Sequence, residues 1–237
     1  MKPQTIGIIG AQGHLGQSLC KRLQRLYGSE VTLVPSVDKA SNKAIAAQSD
    51  VILITVRPEQ MDDLLREIAP HLKPNAVVIS FAAHYPLASI IQVVQRRSAR
   101  VIGDIKWNLC GYLCGGDMSS EEFNSFFDSL TKTRPLELHS DAEFDQYAIL
   151  LVHVIVVLHL EKLQRIENAD EHLEFAAKGL SRFGRKFQAS EFRHFELGDD
   201  SEAALKELAT PGGITEKTLE ALRGTSKPAE VHQKVIG

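Results

Sequence analysis

The sequence has few cysteines and no long apolar run, and each shortage excludes a class of protein. Three cysteines in 237 residues, Cys20, Cys110 and Cys114, are too few for a disulfide framework and indicate free thiols. Cys110 and Cys114 lack the CxxC spacing and further nearby ligands, so we expect no metal site. The longest apolar stretch, Ala148–Leu160, has 13 residues, whereas a membrane-spanning helix needs about 20.

An excess of one charge is also lacking. The 27 Lys and Arg residues against 30 Asp and Glu residues give a net charge of −3, and the basic residues are scattered. We therefore expect no binding to nucleic acid or to a membrane. The apolar run that follows the first residues is too short and too rich in glycine for a signal peptide. These features predict a cytoplasmic protein.

The first two thirds of the chain alternate short strand patterns with amphipathic helix patterns. The predicted strands are Thr5–Gly10, Val31–Val34, Val51–Val56, Ala76–Phe81, Arg100–Ile105, Leu109–Cys114 and Arg134–Leu138. The predicted helices are Leu15–Tyr27, Pro58–Ala69, Leu87–Arg97 and one that Ser119 caps and that ends near Leu130. Between the second and third strands we expect only a polar connection. Repeated strand–helix–strand units predict an α/β fold with a doubly wound parallel sheet of the Rossmann type.

The pattern after Ser140 is helical throughout. We predict helices at about 141–165, 168–187, 200–209 and 215–224, and hence a dinucleotide-binding domain over 1–140 and an all-helical domain over 141–237. The helix that contains Ala148–Leu160 is apolar nearly all round and must be buried on every side. A partner subunit is a reasonable cover, so we expect a homodimer through the helical domain.

A glycine-rich loop lies between the first predicted strand and helix, the context in which such a loop binds a dinucleotide. The first glycine permits a tight turn, the second lets the backbone approach a pyrophosphate, and the third lets the helix pack on the strand. The anion would bind at the start of the helix. The alternative is a glycine-rich turn without a ligand. The candidate cofactor residues here are Gly10, Gln12, Gly13, His14, Leu15 and Gly16.

The end of the second predicted strand favours NADP, with NAD still possible. No acidic residue stands at the tip of the strand, where an NAD site usually has one. Ser36 could donate to a 2′-phosphate and Lys39 could neutralise it, whereas Asp38 would repel a phosphate or accept from a ribose hydroxyl. An ordinary polar turn is the alternative.

Several further segments together resemble the pyrroline-5-carboxylate reductase family. Ser41-Asn42 is followed by a strand that ends Val56-Arg57-Pro58-Glu59-Gln60, similar to the family's V-K-P-Q with Arg57 where Lys is usual. Ser80–Ala83 is similar to its S-x-A-A segment, and Thr210-Pro211-Gly212-Gly213-Ile214-Thr215 resembles its S-P-G-G-x-T signature. The matches are spread over residues 6–222 in the family's order.

The resemblance implies a Rossmann-type domain, a helical dimerisation domain and an NAD(P)H-dependent reduction of a cyclic C=N bond, the reaction that completes proline biosynthesis. It implies that Gly212, Gly213 and Thr215 face the substrate, with Thr215 as the catalytic candidate. It also implies that further residues line the cofactor site: Asn42, Val56, Arg57, Pro58, Ala82 and Ala83.

The chain departs from the family in its substrate half. The family's S-G-S-G-P-A-Y turn is replaced by the apolar segment 150–157, and its M-P-N segment by 102–106. His153 in the first segment and Lys106 in the second are therefore candidate substrate-binding residues, although a core histidine and a solvated lysine are the simpler interpretations.

The late glycine turn has two interpretations of its own. In the simpler one, Thr215 caps a helix that starts at Glu216. In the other, the N–H groups of 213–216 and the Thr215 hydroxyl bind a substrate carboxylate.

Three functions remain open from the sequence. The first is a reductase of a small, carboxylate-bearing imine close to pyrroline-5-carboxylate. The second is a related NADP oxidoreductase with another acceptor, such as a ketone, another imine or a deazaflavin. The third is a dinucleotide-binding module without catalysis.

Overall fold

The computed structural model describes residues 3–104, 106–127 and 130–236, which divide into two units. The first unit extends to Phe144 and the second begins at Asp145. The first contains every strand of the described chain, and the second is built from helices.

The described part of the first unit forms one sheet of seven strands in the order β2-β1-β3-β4-β5-β6-β7. These are β1 Thr5–Ile9, β2 Thr32–Pro35, β3 Val51–Ile54, β4 Val77–Ser80, β5 Arg97–Gly103, β6 Cys110–Gly115 and β7 Leu136–Glu137. The order reverses at β1, which lies between β2 and β3. Ligands of doubly wound sheets bind at such a switch point, beyond the carboxyl ends of the strands. The predicted Rossmann-type α/β fold is confirmed.

One pair of strands departs from the all-parallel prediction. The parallel pairs are β2–β1, β1–β3, β3–β4, β4–β5 and β6–β7. Strands β5 and β6 run antiparallel, with Val101 opposite Tyr112. Only residues 104–109 connect β5 and β6. A parallel pair needs a crossover of a dozen or more residues, so this short connection leaves a hairpin as the available geometry.

The helices of the first unit are α1 His14–Tyr27, α2 Asn42–Gln48, α3 Met61–Ile68, α4 Leu87–Val94 and α5 Ser120–Phe127. The prediction of a plain connection before β3 is wrong, because α2 forms there. A Cβ at Gly7 in β1 would lie 2.5 Å from Ser49 Oγ, so glycine lets this segment lie directly on the sheet. Burial of Ile45 and Ala46 then stabilises the short helix.

Several helix ends differ from the prediction for local reasons. Pro58–Gln60 forms a 3₁₀ turn before α3 begins. Helix α4 stops at Val94 because Gln95 takes a left-handed conformation and Arg97 already belongs to β5. Ser119 Oγ accepts a hydrogen bond from Glu122 N at 3.1 Å, the contact expected of the predicted cap of α5. The predicted end of α5, near Leu130, includes positions 128 and 129, which lie outside the described residues.

The second unit contains more helices than the sequence predicts. Helix α6, Asp141–Lys162, begins at the end of the first unit and is followed by α7 Ala169–Leu180, α8 Ala189–Phe192, α9 Ser201–Leu208, α10 Ile214–Gly224 and α11 Pro228–Ile236. Helices α8 and α11 are additions to the prediction. Helix α7 is shorter than predicted, since a 3₁₀ turn follows it and Gly184 then takes a φ of 90°.

Helix α6 is long and apolar enough to cross a membrane by length and composition alone. However, 72% of its most apolar stretch is buried inside the protein, the pattern of a core helix. Residues such as Leu151, Val154 and Val157 are at most 1% exposed. The apolar surface of α6 is thus covered within one chain and does not itself require a partner subunit. The homodimer stays a prediction.

Candidate functional site

The glycine-rich loop directly follows β1 at the switch point of the sheet. Gly10 has a φ of 87°, and a Cβ there would lie 2.7 Å from Thr55 Oγ1. A Cβ at Gly16 would lie 2.7 Å from Ala11 Cα. Glycine is therefore required at the turn and at the start of the helix, which are two of the three roles that the spacing predicts.

The start of α1 is suited to bind an anion. Gly13 is the N-cap, so no side chain of the described residues caps the helix, and its first turn contains no acidic residue. The first N–H groups of a helix carry a partial positive charge and lack partners within the helix. With glycine at the entry, an oxyanion can approach this backbone closely.

Ser36 holds the loop in place from the end of β2. It is 5% exposed, and its Oγ accepts hydrogen bonds from Gly10 N at 3.0 Å and Ala11 N at 3.3 Å. Gln12 Nε2 in turn donates to the Ser36 carbonyl at 3.3 Å. Ser36 thus has a structural role that the sequence does not predict, since its oxygen shapes the glycine loop. Its hydroxyl hydrogen can still be donated to a ligand oxygen.

A cavity of about 330 Å³ lies against this loop, within the size range of small-molecule sites. It brings together seven of the predicted cofactor residues: Gly10, Gln12, Gly13, Ser36, Lys39, Asn42 and Val56. They come from three separate segments that follow β1, β2 and β3. The predicted residues outside its lining are His14, Leu15, Gly16, Arg57, Pro58, Ala82 and Ala83.

Five of the residues outside the lining lie close to lining residues in the chain, and Ala82 and Ala83 do not. His14, Leu15 and Gly16 form the first turn of α1. Arg57 is exposed, 3.9 Å from the Glu59 carboxylate, and precedes the turn that Pro58 opens. Ala82 and Ala83 follow the carboxyl end of β4, on the same edge of the sheet as the loop.

The cavity is also lined by acidic residues, three of which the sequence prediction did not include. These three, Glu59, Asp63 and Glu67, lie before and along α3. Asp38, beyond β2, also lines the cavity, as a residue that the sequence already sets against a 2′-phosphate. Glu67 is near Asn42, whose Nδ2 is 3.5 Å from Glu67 Oε2. The helical periodicity of α3 is the sequence signal that could have identified Asp63 and Glu67. These two residues are one helical turn apart and lie off the buried face.

The late glycine turn belongs to the second unit. Gly212 has a φ of 72°, Gly213 is the N-cap of α10, and the helix begins at Ile214. The prediction that Thr215 caps a helix from Glu216 is wrong, because Lys217 N donates to the Gly213 carbonyl at 3.1 Å, which makes Gly213 the N-cap and starts the helix two residues earlier. Thr215 is 8% exposed within the first turn.

The turn already has a carboxylate of its own. Glu216 Oε2 accepts a hydrogen bond from Gly212 N at 2.7 Å. A substrate carboxylate that bound at this helix start would therefore approach a like charge.

His153 and Lys106, the two other candidates for substrate binding, do not line the cavity at the glycine loop. His153 is 1% exposed, its Nε2 is 2.9 Å from His172 Nδ1, and burial lowers its pKa to about 3. This is the geometry of the core histidine in the simpler interpretation. Lys106 is exposed, and its main-chain N–H donates to Asp104 Oδ2 at 3.0 Å.

The thiols and the metal-ligating residues offer no second reaction centre in the described chain. All three cysteines are free, and burial raises the pKa of each, that of Cys114 to about 12. They are therefore protonated near neutral pH and poor nucleophiles. Among residues 3–104, 106–127 and 130–236, no three His, Cys, Asp or Glu side chains are grouped to hold a metal ion.

Comparison with known proteins adds a family context to this geometry. Residues 25–84 match the family model described as NADP oxidoreductase coenzyme F420-dependent. A pyrroline-5-carboxylate reductase of Pseudomonas aeruginosa is 38% identical over 50 residues. That match spans 21% of this chain and only 18% of the relative.

Solved structures match over almost the whole chain. The pyrroline-5-carboxylate reductase of Coxiella burnetii superposes with a TM-score of 0.58 at 14% identity, covering 100% of this chain and 96% of that one. The pyrroline carboxylate reductase of Plasmodium falciparum, solved with NADP bound, gives a TM-score of 0.56 at 14% identity, covering 98% and 94%. At this identity the structures show the shared fold. The resemblance to pyrroline-5-carboxylate reductases therefore rests on the 50-residue sequence match, and the structures add the fold alone.

Proposed function

We propose that this protein is an NADP-dependent oxidoreductase that reduces the C=N bond of a small, carboxylate-bearing substrate, as a pyrroline-5-carboxylate reductase does. The observation that carries the proposal is the start of α1, where glycines and an uncapped helix face a cavity at the switch point of the sheet. The NADP bound in the Plasmodium falciparum structure supports the cofactor.

The residues of the cavity fit a dinucleotide in distinct roles. Gly13 and the first turn of α1 would hold the pyrophosphate, and Ser36 would keep the loop in its shape. Lys39 would neutralise a 2′-phosphate, against the opposing charge of Asp38 and the acidic residues of α3. The bound cofactor would supply the hydride, and the protein supplies binding and orientation.

The substrate half of the proposal rests on the resemblance. Gly212, Gly213 and Thr215 would face the substrate, with the Thr215 hydroxyl donating to the imine nitrogen. An alcohol is a weak acid, so water would supply the proton that the nitrogen takes up. Orientation of the imine carbon would then supply much of the rate.

The first experiment tests the dinucleotide half. We expect NADPH to raise the melting temperature of the full chain and to bind in calorimetry, with NADH as the comparison cofactor. Gly10→Ala should abolish binding, because its Cβ would meet Thr55 at a φ of 87°. Gly28→Ala is the matched control, since Gly28 also has a positive φ but has open space around it and lies outside the cavity. If neither cofactor binds the wild type, the proposal fails.

A second candidate function keeps the dinucleotide site and changes the acceptor. It is favoured by segment 150–157, which is buried helix where the family has a substrate turn, and by the Glu216 carboxylate on Gly212 N. Oxidation of NADPH should be followed with pyrroline-5-carboxylate and with a panel of other imines, ketones and deazaflavin. Turnover only with a member of the panel selects the second function, and tight binding of NADPH without any turnover selects a non-catalytic module.

A further inference from the structure

A second and larger cavity lies entirely within the helical unit. Its volume is about 610 Å³, and it shares no lining residue with the cavity at the glycine loop. Its apolar lining consists of Leu160, Ile166, Leu205, Ala209, Leu219 and Leu222. Cavities of this size with an apolar lining and a few polar groups are typical sites for small molecules.

The charged residues of this lining leave an excess of positive charge. Arg165 forms an ion pair with Glu202 at 2.6 Å, so these two charges cancel. Lys206 and Arg223 also line the cavity, against the single remaining carboxylate of Glu167. Neither Lys206 nor Arg223 forms an ion pair with another described residue. An anionic group of a ligand would therefore find two cations at the edge of an apolar cavity.

The cavity also contains a buried nitrogen with unused hydrogen-bonding capacity. His172 lines it with 0% exposure, and its Nδ1 is paired with His153 Nε2 at 2.9 Å. His172 Nε2 makes no hydrogen bond within the described part of the chain. The Ser226 carbonyl accepts from Asn168 Nδ2 at 2.6 Å. It also lies near the His172 ring, where it offsets part of the lowering of the pKa by burial, without completing a hydrogen bond to Nε2. A buried polar atom left without a partner is costly, so the site favours a ligand that supplies one.

The tautomer of the histidine pair defines which partner this nitrogen needs. If His153 donates to His172, then His172 Nε2 carries a hydrogen and is a donor; in the opposite tautomer it is an acceptor. Burial lowers the pKa of His172, which keeps the ring neutral near pH 7. A hydroxyl group both donates and accepts, so it satisfies His172 Nε2 in either tautomer.

We propose that this cavity binds a small carboxylate that has an apolar body and a hydroxyl group. The carboxylate lies at Lys206 and Arg223, the body lies on the leucine side chains, and the hydroxyl bonds His172 Nε2. The site is independent of the proposed oxidoreductase function, because dinucleotide binding uses none of these residues.

Calorimetry with three matched probes tests this assignment on the full-length wild type. We expect 8-hydroxyoctanoate to bind at least tenfold more tightly than octanoate, which lacks the hydroxyl, and than 1,8-octanediol, which lacks the carboxylate. 6-Hydroxyhexanoate and 10-hydroxydecanoate cover shorter and longer bodies. The ¹⁵N signal of His172 Nε2 should shift on titration. Equal affinities for the matched probes, or no binding of any hydroxyalkanoate, would overturn the proposal.

Variants then distinguish binding at this cavity from nonspecific hydrophobic binding. The double variant Lys206→Gln, Arg223→Gln should remove the preference for the carboxylate, and Ala209→Phe should block binding by filling the cavity without altering His172. Lys217→Gln is the matched control, an exposed cation on α10 outside the lining. Wild-type far-UV circular dichroism and urea unfolding show that each variant is folded. Probe affinity that weakens as protein concentration rises would mean that a second copy covers the cavity, and would also overturn the proposal.

Discussion

Ser36 is the residue on which the shape of the glycine loop most depends. Its Oγ is the acceptor for two consecutive main-chain N–H groups, Gly10 and Ala11, and its side chain is buried at the wall of the cavity. The sequence predicts Ser36 as a phosphate ligand because it follows β2, and its position relative to β1 becomes visible only with the parallel pairing of these strands.

We predict that Ser36→Ala weakens NADPH binding. Without Oγ, both N–H groups lose their acceptor, which costs about 1–3 kcal/mol for a buried group and lets the loop distort. Calorimetry should show lower affinity, and urea unfolding should show lower stability. Ser49→Ala is the control, because Ser49 is equally buried but bonds Ile45 at 2.7 Å in α2, away from the cavity. Ser49→Ala should lower the stability and leave the affinity for NADPH unchanged. Equal NADPH affinities for Ser36→Ala and wild type would contradict the role of Ser36.

At the scale of elements, the sequence predicts strands and long helices better than short helices. Val51–Ile54 and Val77–Ile79 are continuous apolar runs, which are typical of strands covered on both faces of a sheet. Helix α2 depends instead on the missing side chain at Gly7, a contact between residues far apart in the sequence. The antiparallel β6 depends on the length of a loop. The acidic lining from α3 depends on how that helix is rotated on the sheet, which no local motif encodes.

The first turn of α10 gives the prediction that belongs to this scale. Glu216→Gln removes the negative charge at Gly212 N while it keeps an oxygen acceptor. If the glycine turn binds the substrate carboxylate, the KM for pyrroline-5-carboxylate should fall several-fold. The loss of an acidic residue from a helix start should cost about 0.3–1 kcal/mol of stability.

Glu220→Gln on the same helix is the control for this change, since Glu220 is exposed and beyond the first turn. It should leave KM unchanged. An unchanged KM in Glu216→Gln as well would mean that the substrate carboxylate does not bind at this turn.

At the scale of the whole molecule, the helical unit carries three histidines that resist protonation, of which His153 and His172 are buried and His232 is half-buried. His153 on α6 is hydrogen-bonded to His172 on α7, and the ring of Phe175 packs against the rings of both His153 and His232, the latter on α11. Burial lowers the pKa of all three, that of His153 to about 3. The sequence predicts a core histidine at 153, but the partner at 172 arises only when two helices pack.

The sign of the resulting pH dependence follows from these pKa values. The unfolded chain takes up protons near pH 6.5, whereas the folded chain resists them to lower pH. The contribution of the histidines to stability is therefore complete above about pH 6.5 and is lost as the pH falls towards the folded values. We predict that the free energy of unfolding, measured with urea, decreases steeply from pH 6.5 to pH 4.

His153→Leu should make this decrease shallower, because one group that gains a proton on unfolding is gone. The exposed His71 provides the control, and His71→Gln should keep the wild-type slope. The slope is the decisive quantity, since the absolute stability of His153→Leu also reflects the unpaired His172 Nδ1. Hydrogen exchange of α6 and α7 amides assigns the transition to the helical unit. A wild-type slope in His153→Leu would mean that His153 is protonated in the folded protein as readily as in the unfolded chain, against its burial.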